Sequence, residues 1–123
     1  MKLSIPAWEE GRYLSLTELL ILFGRYFINL KWYVRVEETA PEPGAEKLDS
    51  IDPLVSMDIF KLLHLVSPTV QIIDGTITAS DTDDSEPKLI LRAVDSSSWD
   101  IETKNTEVLS IVRSRFPEYF EFD

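Results

Sequence analysis

The side chains able to do chemistry in this chain are overwhelmingly carboxylates. Its 123 residues hold 22 Asp and Glu, a single histidine, His64, and no cysteine. Thiolate nucleophiles, Cys-ligated zinc and disulfides are thereby excluded, and one histidine cannot form the His pair of a typical metal site. The densest acidic run, DTDDSE at 81–86, invites a calcium reading. Laid over the EF-hand loop it fails, because the sixth position is Glu86 where glycine is needed and the twelfth is Arg92 where a carboxylate is needed. It reads instead as a solvated loop between strands.

The other candidate chemistries fare no better. His64 sits near the end of an apolar helical stretch, FKLLHLVS, and no G-x-S-x-G elbow offers it a nucleophile. So many carboxylates guarantee a pair at any separation, so pairing for glycoside hydrolysis carries no information. The four glycines, at 11, 24, 44 and 75, are too dispersed for a phosphate cradle. No catalytic residue, metal site or cofactor is expected, and the chain reads as a non-enzymatic protein.

A second stretch, AVDSSSWDIETKN at 93–105, sets a tryptophan among polar residues. Asp95 and the serines 96–98 fall where one strand pattern ends and another begins, so their side chains are expected to set a turn. Trp99 then has two readings. As core, its ring packs on the sheet and its indole N–H finds a polar partner. As a functional residue, it is an exposed anchor inside the acidic rim of Asp95 and Asp100, the composition of a binding hot spot.

Charge is unevenly placed. Residues 1–36 hold five bases and three acids, a net of +2, which leaves −12 on the rest of a chain whose total is −10. Residues 37–52 and 74–86 each net −5. Such a field speeds encounter with a basic protein and opposes nucleic acid. The reading that follows is an acidic protein-binding domain, for instance an inhibitor or immunity protein covering a basic, nuclease-type toxin or effector. Its expected contacts are Asp81, Asp83, Asp84, Glu86, Asp95, Trp99, Asp100 and Tyr119. The alternative is a regulatory or adaptor domain that docks through its aromatic and acidic tail, PEYFEFD, and a small enzyme of unknown type ranks last. Three exposed aromatics would be a liability, so packing of Tyr119, Phe120 and Phe122 back on their own core is the favoured reading of the tail.

The elements that must position these residues follow from periodicity. Ser15 and Glu18 form a capping box, with Leu14 and Leu19 as a hydrophobic staple, and Leu16, Leu19, Leu20, Phe23 and Phe27 make a helical stripe. Leu30, Trp32, Val34 and Val36 alternate with polar residues as in a half-buried strand. TAPEPGAEK breaks the pattern and reads as a loop. A second helix is expected from Asp52-Pro53, or from Ser56, to Ser67-Pro68, with Met57, Ile59, Phe60, Leu62, Leu63 and Val66 as its apolar surface. VQII and TITA flank Asp74-Gly75, the pair favoured in a tight hairpin, a bulge in one longer strand being the alternative. KLILRAV and WDIET are further strands. Asn105 caps a last helix carrying Val108, Leu109, Val112 and Phe116, which Pro117 stops.

The expected fold is α+β in one domain over 1–123, an antiparallel sheet of about four to five strands with three helices, in the order α-β-α-β-β-β(-β)-α. Flexible loops are expected at 38–50 and 80–87. The longest apolar run, LLILFGRYFINL, is too short to span a bilayer and contains Arg25, and no signal-peptide run opens the chain. A cytoplasmic protein with a basic protein partner and no membrane contact is the expectation; oligomeric state stays open.

Overall fold

The computed structural model describes residues 1–66, 69–82 and 86–122. It is an α+β fold built on a six-stranded antiparallel sheet, with a small two-stranded hairpin beside it. In chain order come β1 (Lys2–Pro6), the hairpin β2 (Trp8–Glu9) and β3 (Arg12–Tyr13), α1 (Leu16–Phe23) with a following 3₁₀ turn, and β4 (Lys31–Thr39). Two short helices, α2 (Ala45–Asp49) and α3 (Ile59–Leu65), lead to β5 (Ile72–Ser80), β6 (Leu89–Val94) and β7 (Ser98–Thr103). α4 (Thr106–Arg115) and β8 (Phe120–Phe122) close the chain. Across the sheet the order is β4-β5-β6-β7-β1-β8.

Alternation divides the sheet into two unlike faces. Leu3, Ile5, Trp32, Val34, Ile77, Ala79, Leu91, Trp99 and Ile101 point one way, into one core with Leu16, Leu19, Leu20 and Phe23 of α1, Ile59 and Leu62 of α3, and Val108, Leu109 and Val112 of α4. The residues between them point the other way and stay partly or fully exposed. The helices therefore cover one side of the sheet only.

The expected caps form. Ser15 Oγ accepts from the Glu18 N–H at 3.3 Å, and Asn105 Oδ1 accepts from Glu107 and Val108 at 3.0 Å each. The return half of the Ser15 box does not, because the Glu18 carboxylate instead holds Arg12 at 2.6 and 3.2 Å. That pair, with Arg115 on Glu9 at 2.9 and 3.0 Å, ties the β2–β3 hairpin to α1 and α4. The hydrogen bonds from Arg115 hold the Glu9 carboxyl below its ordinary range. Tyr13 anchors the same hairpin to β5, its hydroxyl lying 3.2 Å from both the N and the O of Ile72. Burial pushes that phenol up to about 12.

Four expectations are corrected. Asp74-Gly75 is no hairpin turn but the bulge in one longer strand that was the alternative: it lies inside β5, opposite Glu38 and Val36 of β4, where register shifts leave one extra residue on each strand. Gly75 is there for space, since a Cβ would meet Arg35 O and Ile72 Cγ2 at 3.1 Å each. The stretch expected as a loop at 38–50 completes β4 and then forms α2, whose Ala45 and Leu48 are buried. The second helix begins at Asp58, whose side chain accepts from Lys61 N–H at 2.8 Å. Before it, Asp52 caps a turn at Leu54, and Met57 exchanges backbone bonds of 2.8 and 2.9 Å with Trp32, capping the outer edge of β4 at that residue; Phe60 faces solvent instead of the core. The sheet also has more strands than expected, because β1 and β8 add to it at the end away from β4, and α2 makes the helices four. The expected stop at Ser67-Pro68 lies outside the described residues.

Candidate functional site

The side of the sheet without helices leaves the outward residues of six strands open to contact. The strand register lays its outward residues in two rows. One runs Tyr33, Thr78, Ile90, Glu102, Lys2, Phe122; the other runs Arg35, Thr76, Arg92, Asp100, Ser4, Phe120. Glu102 sits between two cations, 3.6 Å from Lys2 Nζ and 3.6 Å from Arg92 Nη1. These exposed pairs add little stability but fix the long side chains flat on the sheet.

Apolar groups rim both sides of this face. At the β8 edge the rings of Phe120 and Phe122 lie 6.0 Å apart, Lys2 Nζ stands 5.0 Å over Phe122, and Phe120 is 67% exposed. At the β4 edge Leu54, 82% exposed, and Pro53 overhang Tyr33, Arg35, Thr76 and Thr78, enclosing a shallow groove of about 390 Å³. A wider groove of about 650 Å³ opens past Ile90 and Glu102 at one end of the strands, among Met1, Tyr26, Leu30 and Lys104. Aromatic rims, paired charges and small hydroxyls between them suit contact with another protein better than enclosure of a small molecule.

The residues nominated from sequence are not brought into one cluster. Asp81 and Glu86 stand at the end where β5 leaves the sheet, Asp81 3.6 Å from Lys88 Nζ. Asp83 and Asp84 lie outside the described residues. Asp95 stands at the opposite end, in the β6–β7 connection. Asp100 alone of the set lies within the open face, beside Arg92. Tyr119 precedes β8 at the far edge, its ring 6.0 Å from the Arg113 guanidinium and 37% exposed.

Trp99 as an exposed anchor is overturned. It is fully buried on the helix side and its indole N–H donates to Leu14 O at 2.8 Å. Alternation decides this: Trp99 pairs with Ala93 and Ile5, both inward residues. The serines beside it make the expected turn. Asp95 and Ser96 have φ of 49° and 60°, and Ser97 N–H returns to Val94 O at 2.9 Å, a type I′ turn within the three-residue loop 95–97 that joins Val94 to its register partner Ser98. Its left-handed residues are held by Asp74 Oδ1 on Asp95 N–H, by Ile73 O on Ser96 N–H, and by the Trp8 indole on Ser96 O. The tail takes neither of its two expected forms in full, for β8 joins the sheet through its backbone while Phe120 remains outside the core.

The element order already favours helices over one face of an antiparallel sheet, but apart from Asp100 no residue of the face they leave open is among the expected contacts, though the signal was present in the outward halves of KWYVR, TIT, LILRA and WDIET. His64 is exposed in the last turn of α3, remote from any acidic partner that the described residues show. Among the described residues no group of three or more His, Asp or Glu is placed to hold a metal ion, and no helix is long and apolar enough to cross a membrane. Comparison with family models, with curated proteins and with solved structures finds no match to this chain.

Proposed function

We propose that this chain is a non-enzymatic protein-binding domain that receives a basic partner on the open face of its sheet. The observation that carries the reading is the one-sided sheet, whose six strands present two rows of aromatic, hydroxyl and paired charged side chains with no helix over them. Charge placement favours a basic partner. Asp81 and Glu86 lie at one end of this face, and Glu37, Glu38, Asp74 and Asp95 at the other, so a cation approaching the face is drawn from both ends. An inhibitor or immunity protein that covers a basic effector is the finest form of this reading. A cytoplasmic setting suits it, because a chain without cysteine draws nothing from an oxidising compartment.

Docking through the tail is the second reading, favoured by the exposure of Phe120. The test separates them. Tagged protein captured from its source cells at low and raised salt is expected to retain a stoichiometric basic protein that loosens as salt rises. With the purified pair, Asp81→Lys with Glu86→Lys, and Glu37→Lys with Glu38→Lys, should each slow association about tenfold at low salt. A partner that is acidic, or an association rate indifferent to both reversals, refutes the proposal; loss of binding only on changing Phe120 would favour the tail.

A further inference from the structure

The two edges of the sheet are finished differently. Among the described residues, β4 is capped on its outer edge at Trp32 alone, by Met57, whereas β8 has β1 on one side and no strand on the other. Edge strands are protected by brevity, charge, proline or a bulge; FEF at 120–122 is short and turns Glu121 to the helix side, but has no lysine, proline or bulge.

The direction of its backbone groups can be derived. Met1 and Thr103 exchange bonds, with Thr103 N–H on Met1 O at 3.1 Å, and Ala7 N–H donates to Ser97 O at 3.0 Å, so odd-numbered residues of this stretch bond toward β7. In an antiparallel ladder the alternate residues then bond the other way. Lys2 and Ser4 therefore bond Phe122 and Phe120, their register partners in β8. Glu121, between them, turns its N–H and C=O to the open edge.

From this we infer that β8 pairs antiparallel with β8 of a second copy of the chain, about a two-fold axis through Glu121, joining the two sheets edge to edge. The two-fold makes this register self-complementary, and because both neighbours of Glu121 are Phe, ring meets ring on either side of the axis. Glu121 exchanges both backbone bonds with its counterpart, and Phe120 faces Phe122 of the other copy. All four rings then line up on the open face, beside the 6.0 Å pair each copy already holds. Two carboxylates meeting at the axis would repel, but each Glu121 is already neutralised by Arg113 at 2.6 Å from the helix side. The seam thus becomes an alternating set of two acids and two bases. The strand is short and each copy carries a net charge of −10, so the dimer is weak and tightens with salt.

Sedimentation of the full chain, from about 10 μM to about 1 mM, a range set by the weak end of protein affinities, tests this. A monomer–dimer equilibrium is expected within it, shifted toward dimer by added salt. Glu121→Pro removes the outward N–H without taking a bond from β1, and Phe120→Lys alters only an exposed ring; each should weaken the dimer at least about tenfold. Arg113→Ala, which bares both carboxylates, should do the same. Phe120→Lys decides the matter should Glu121→Pro loosen β8 itself. A monomer throughout the range, or a dimer that Phe120→Lys leaves unchanged, overturns the inference.

Discussion

Replacing Trp99 by Phe separates a core residue from a binding anchor. Trp99 is fully buried, and its indole N–H is the donor 2.8 Å from Leu14 O, the carbonyl just before the Ser15 cap of α1. The smaller ring leaves a gap of roughly 40 Å³, which at about 24 cal/mol per Å³ costs about 1 kcal/mol. The abandoned carbonyl adds about 1–3 kcal/mol if no water reaches it. Together the loss is about 2–4 kcal/mol, a fall in melting temperature of about 8–15 °C for a domain of this size. Urea unfolding with an unchanged m-value is the assay. Trp8→Phe is the internal control: Trp8 donates an indole bond of equal length, 2.8 Å to Ser96 O, but is 44% exposed, so water replaces the donor and the loss stays below about 1 kcal/mol. A Trp99→Phe protein as stable as the parent, or a Trp8→Phe protein equally damaged, would refute the assignment of Trp99 to the core.

Ser96→Gly should stabilise the protein by up to about 1 kcal/mol in the same assay, because it relieves a left-handed residue whose holding contacts are all made by its backbone; a loss of stability would contradict the turn. Gly75→Ala should cost about 1–3 kcal/mol, since its methyl meets the backbone of Arg35 at 3.1 Å, and a neutral effect would mean that β4 and β5 lie further apart. The Tyr13 phenol titrates near 12 in the fold against about 10 when unfolded, so its contribution is whole below pH 10 and is lost as pH rises toward 12. After allowance for solvent reaching this half-buried group, the loss is about 1–2 kcal/mol, and Tyr13→Phe should remove that part of the alkaline fall in stability. An identical alkaline slope in parent and variant would contradict it.

Much of the architecture was legible in the sequence because local chemistry and tertiary packing agree. Ser15 and Asn105 mark helix starts through oxygens that do accept from the first turns, and the alternation through Trp32 and Val34 marks a strand buried on one side. Where they disagreed, pattern misled. Asp-Gly is a strong local turn signal and placed the hairpin ahead of the bulge in one longer strand, yet Gly75 serves a close backbone approach inside that strand, and local pattern does not choose between the two. β1 offers only Leu3 and Ile5 as inward residues before Pro6, too few to stand out until β7 and β8 flank it. α2 hides behind two prolines and a glycine because five residues with two buried positions make no periodic signal. For the candidate site the limit was long-range. Composition located the acidic loops, but only the strand register shows that Asp81 and Asp95 lie at opposite ends of the sheet, whereas alternation within WDIET already sets Trp99 and Asp100 on opposite faces.

Binding by two surface variants decides whether the open face is where a partner docks. Thr76→Lys with Ile90→Lys places two cations in the middle of that face, at positions outside the core, while Ile21→Lys changes an exposed residue of α1 on the helix side. Both proteins should fold with near-parental stability. The face variant should lose the captured partner, by at least about a hundredfold in affinity if the contact is central, while the helix-side variant keeps it. Partner binding unaffected by the two lysines on the sheet, or abolished by the one on α1, would contradict the open face as the docking surface.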